Sequence, residues 1–228
     1  MARNDQFMRI VEGCFPPGFF VRVIEELEQV YPSAHTHCHG RFDTAEAADL
    51  YPYERRARAE TVLRDVAKEF GHRGISAEAK ANATNSNFHS EAVSGSVVLT
   101  ESYVQKSGEL VELADFRQQL AESAQLRLMG ADEAGTLFYA IVLHGYRREG
   151  KHKFPYRLGF VELAIPNKEC TGYLDVFDLV NRYAAADVDP ADRAAAAADA
   201  VATERVRKPS ALLIERRRLI SDDRSSEE

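Results

Sequence analysis

The sequence predicts an α+β fold: N-terminal helices packed on a mainly antiparallel sheet of about four or five strands, with a C-terminal helical extension. Three observations predict it. Apolar residues recur at helical spacing before residue 72, β-rich segments run from 93 to about 176, and an Ala-rich stretch follows Asp189. The expected organisation is one domain over residues 1–187, with a helical layer in 1–75 and the sheet in 90–183. An extension and charged tail occupy 188–228.

The helical layer reads in pieces. Pro16-Pro17-Gly18 opens a segment in which Phe20, Val23, Ile24, Leu27 and Tyr31 share a face, and Pro32 closes it. Asp43 and Glu46 form a capping-box pattern before a short helix reaching Leu50. A longer helix follows Pro52, carries Val62, Leu63, Val66 and Phe70 as its stripe, and stops at Gly71. Residues 76–90, rich in Asn and Ser, have loop composition.

The period then changes. Val93–Val104 reads as strand, 108–122 as helix with Leu113, Phe116 and Leu120 on one face, and Leu126 and Leu128 alternate as in a half-buried strand. Thr136–Leu143 is apolar on both faces, as in a central strand. A basic loop, Tyr146–Tyr156, leads to a strand over Arg157–Ile165. Pro166-Asn167 turns the chain toward a short strand at Tyr173–Val176 and a helical turn through Tyr183. Asp189 and Pro190 then start the Ala-rich helix of 193–207.

Composition bounds the function. Apolar residues make up 45% and charged residues 29%, enough for a core without disulfides or metal. A net charge of −7 argues against a surface wholly devoted to nucleic acid, but leaves room for a local basic patch. The three cysteines, Cys14, Cys38 and Cys170, are odd in number and scattered, which fits a reducing compartment. The polar start and the shortness of the longest apolar run, Leu137–Leu143, lead to the expectation of a cytoplasmic protein without membrane association. No glycine-rich phosphate loop and no nucleophile elbow is present.

Three features carry chemistry. His35, His37 and His39, with Asp43 close behind, would line one face of an extended segment and hold zinc or another divalent metal. Cys38, His89 or His144 would complete that site. The plainer reading of the run is a polar connector between helices. The loop of Arg147, Arg148, Lys151, Lys153 and Arg157 interleaves charge with aromatic rings, a pattern that holds phosphates and stacks on bases. Its alternative is a solvated hairpin tip. His144, at the end of the most apolar strand and before Gly145, is the candidate catalytic acid or base. Asp132 with Glu149-Gly150-Lys151 resembles a nuclease pattern, but a strand of roughly 40 Å would separate its carboxylates.

Three function classes follow. The first is an interaction or effector protein, such as one member of a bacterial toxin–antitoxin or phage-defence pair, with a protein partner or self-association. The second is a metal-dependent hydrolase or nuclease using the histidines. The third is a nucleic-acid or polyanion binder using the basic hairpin.

Overall fold

The computed structural model describes residues 3–81, 88–128, 137–149, 151–184 and 213. The predicted α+β class holds: N-terminal helices pack on a mixed, mainly antiparallel sheet of six strands, slightly more than expected. The C-terminal helix expected after Asp189 and the carboxylate Asp132 lie outside the described residues.

Helix α1 (Arg3–Cys14) leads into α2 (Pro17–His39), with Pro17 in the first turn, where its missing N–H costs nothing. Pro32 does not end α2, as the sequence predicts, but lies inside it. The residues beyond it explain why. Ala34 and Cys38 are buried against Ala47 and Tyr51 of the next helix, and that burial outweighs the loss of one backbone bond.

Helix α3 (Thr44–Glu69) likewise runs through Pro52 as one element, since Ala47, Tyr51, Arg55, Ala59, Val62 and Val66 form one buried stripe along it. Asp43 stands in the capping position, without a side-chain capping bond. Arg22 of α2 reaches Glu69 of α3 at 3.1 Å inside the interface, and Glu25 and Glu26 also engage it.

The sheet runs in chain order: β1 (Ser76–Ala81), β2 (Phe88–Ser94), β3 (Val97–Tyr103), β4 (Phe138–Glu149), β5 (His152–Pro166) and β6 (Tyr173–Asp178). Among the described strands only β3 and β4 pair in parallel, joined by the crossover that contains α4 (Asp115–Leu128). Three expectations are corrected here. Residues expected to be loop form β1 and the start of β2, because the edge strand is stabilised by pairing and by the Lys80–Glu91 ion pair rather than by β-formers of its own.

The single strand expected over Val93–Val104 is a hairpin, turned at Gly95, whose φ of 55° suits glycine. Leu126 and Leu128 end α4 instead of forming a strand; Leu128 continues the i, i+4 spacing of Leu120 and Ala124. The last element, α5 (Leu179–Tyr183), is capped by Asp178, which accepts from the Asn181 amide.

Alternation along the strands assigns the two faces. Val97, Leu99, Phe138, Ala140 and Val142 face α1, α2 and α3, whereas Val98, Tyr139, Ile141 and Leu143 belong to the core under α4. Glu101, Tyr103, His144 and Tyr146 continue the first row toward the β4–β5 hairpin. No described helix is long and apolar enough to cross a membrane.

Candidate functional site

The hairpin expected as a loop is mostly strand. Glu149 pairs with His152, Arg148 with Lys153 and Arg147 with Phe154. The next step on β4, Tyr146, meets Leu158, so Pro155, Tyr156 and Arg157 are extruded from β5 as a wide bulge. Gly159 lets the strands close again: a Cβ there would lie 2.6 Å from the Arg147 backbone. Tyr51 of α3 donates a hydrogen bond to the Pro155 carbonyl and holds the bulge against the helices.

The bulge meets the histidine run, which is helical rather than extended. In a helix, positions 35 and 39 share a face while 37 points away. His35 and His39 accordingly lie with ring centroids 4.2 Å apart, and the His35 ring is 5.2 Å from that of Tyr156. Burial, and then the neighbouring His39, hold the His35 pKa below its usual 6.5. His37 turns to Glu54 at 3.0 Å.

Cys38 is buried in the α2–α3 seam, which pushes its thiol pKa up. The one-faced arrangement expected of His35, His37, His39 and Asp43 therefore does not form. The completing ligands are elsewhere: His89 stacks on Phe116 beneath α4, and His144 lies in the core. Among the described residues, no group of three or more histidine, cysteine or carboxylate side chains is placed to hold a metal ion.

His144 is not at a strand end, because β4 continues to Glu149. It is fully buried, with Nδ1 hydrogen-bonded to the Tyr31 hydroxyl at 2.8 Å and Nε2 to Glu101 at 2.7 Å. A carboxylate only accepts, so Nε2 carries the hydrogen. Next to this chain stands a residue the sequence reading missed. Arg55, 6% exposed, places its guanidinium 3.7 Å from the centroid of Tyr103 and 5.4 Å from those of Tyr31 and Tyr51. The signal was in the sequence: a charged residue one turn after Tyr51 and one turn before Ala59, inside an otherwise apolar stripe.

The five basic residues of the hairpin do share one region. Lys151, Lys153 and Arg157 are exposed, and the Arg157 guanidinium lies 5.8 Å from the Phe154 ring and 5.7 Å from the Tyr156 ring. Arg148 donates to the Tyr146 hydroxyl at 2.6 Å and sits 4.9 Å from that ring, while Arg147 binds Glu149 at 2.8 Å. Tyr146 in turn stacks 6.2 Å from Tyr103. Ring contacts thus connect the three arginines: Arg148 to Arg55 through Tyr146 and Tyr103, and Arg55 to Arg157 through Tyr51, His35 and Tyr156.

Comparison of the chain with protein families, with curated proteins and with solved structures finds no match.

Proposed function

We propose that the protein binds a polyanion, single-stranded nucleic acid above all, on the β4–β5 hairpin and its bulge. One observation carries this reading: Arg148 and Arg157 sit against the rings of Tyr146, Phe154 and Tyr156 on a hairpin that also exposes Lys151 and Lys153. Phosphates are drawn to the cations, and unstacked bases lie on the half-buried rings of Phe154 and Tyr156. Ring faces accept any base, so the surface holds single strands with little sequence preference. The net charge of −7 confines this affinity to the patch.

The test is a labelled single-stranded oligonucleotide followed by fluorescence anisotropy. Replacing Lys151, Lys153 and Arg157 by glutamine should weaken binding at least about tenfold while leaving the thermal midpoint nearly unchanged. Equal binding by the variant would refute the reading.

A protein-partner reading has its own support. Phe42, just before α3, and Leu50 and Tyr53, in its first three turns, are 46%, 40% and 74% exposed, and exposed large apolar side chains favour association. Light scattering of the wild type and of a Leu50→Ser, Tyr53→Ser variant tests self-association. A monomeric wild type at micromolar concentration would remove a homo-oligomer.

A further inference from the structure

Arg55 is the exception among the buried charges. Arg22 and Glu69 pair with each other, Glu91 meets His89 and Lys80, His144 meets Glu101, and Glu162 accepts from Ser107 and the Gly108 amide. Arg55 pairs with no carboxylate among the described residues, and its Nε is buried without a hydrogen-bond partner. A guanidinium cannot shed its proton in a protein, so burial leaves a full charge in place. Three tyrosine rings stabilise that charge, but aromatic faces offset only part of the lost hydration.

We infer that Arg55 binds a terminal phosphate monoester, the end group of the strand that the hairpin holds. The inference rests on the function proposed above and names the part of the ligand that this site reads. An internal phosphodiester carries a sugar on each side and a single negative charge. A terminal phosphate projects freely, is close to a dianion at neutral pH, and has oxygens that match the guanidinium fork.

The Tyr103 hydroxyl, in polar contact with Arg55, is a further donor, whereas the Tyr51 hydroxyl gives its hydrogen to the Pro155 carbonyl. Tyr103 is half-buried and stacks on Tyr146, which bears Arg148, so a row of rings and cations leads from the hairpin to Arg55.

The experiment uses the full chain and one labelled single strand in three forms: 5′-phosphorylated, 3′-phosphorylated and hydroxyl at both ends. The wild type should bind one phosphorylated form about tenfold tighter than the hydroxyl form, as for a new charge-assisted bidentate contact. Arg55→Met keeps the packing volume and removes the charge. It should abolish the preference and leave affinity for the hydroxyl-ended strand within about twofold. Arg55→Lys, which keeps the charge and loses the fork, should cut the preference in the same direction and serves if the methionine variant does not fold.

Equal affinity of the wild type for all three strands overturns the inference and leaves the hairpin reading intact. A preference that survives both substitutions overturns it too. Failure of every strand to bind the wild type removes both readings together.

Discussion

Tyr51 donates its hydroxyl hydrogen to the carbonyl of Pro155, so one side chain of α3 fixes the bulge of β5. Burial pushes the Tyr51 pKa up to about 12, and the hydroxyl stays a donor across the neutral range. Tyr51→Phe keeps the ring beside Arg55 and His35 and removes this tie together with the hydroxyl's contact with Arg55. The expected cost is about 1 kcal/mol in chemical denaturation, with faster amide exchange at Tyr156 and Arg157. Unchanged exchange there would show that the bulge is held by other contacts.

Gly159 is the second determinant of the bulge. A methyl group at this position would meet the Arg147 backbone at 2.6 Å, and backbone does not yield as a side chain does. Gly159→Ala should therefore destabilise the fold by about 1–3 kcal/mol and weaken strand binding together with it. Thermal unfolding and anisotropy on the same sample check both effects.

The outer sheet face supplies a pH-dependent term. Glu91 accepts from His89 and pairs with Lys80, and these contacts hold its pKa below 4.5. A depressed carboxylate stabilises the folded state above the unfolded value of 4.5 and loses that contribution as pH falls through the folded value. Glu91→Gln should lower stability at pH 7 and flatten the acid limb of the stability–pH curve below about 4.5. Parallel acid limbs in the two proteins would contradict the assignment.

His35 titrates with the opposite consequence of burial. Its pKa lies below 6.5, from desolvation and then from His39, so it favours folding above 6.5 and ceases to do so as pH falls below that value. Titration of the imidazole carbon-bound protons by NMR should place the His35 midpoint below 6.5. His39→Ala should raise the midpoint part of the way back, because the desolvation remains.

The elements with long, consistent periodicity were legible in the sequence. The stripe of Val62, Leu63 and Val66 gave the later turns of α3, and the double-sided apolar run before His144 gave central β4. The elements decided by tertiary contact were not. Pro32 and Pro52 look like helix ends locally, and only burial of Cys38 and Tyr51 against each other carries both helices through. That same continuation turned the histidine run from strand to helix and separated His37 from its neighbours.

The hairpin cations were legible as a charge run. Their aromatic continuation into the interior was not, because Tyr31, Tyr51, Arg55 and Tyr103 come from three elements distant in sequence.

The most direct test is the salt dependence of strand binding. Four or five hairpin cations neutralising phosphates predict a slope of log K against log salt of about −3 for a single strand. The variant with Lys151, Lys153 and Arg157 replaced should show a slope shallower by about 2. A wild-type slope near zero, or equal slopes in both proteins, would contradict polyanion binding on this hairpin.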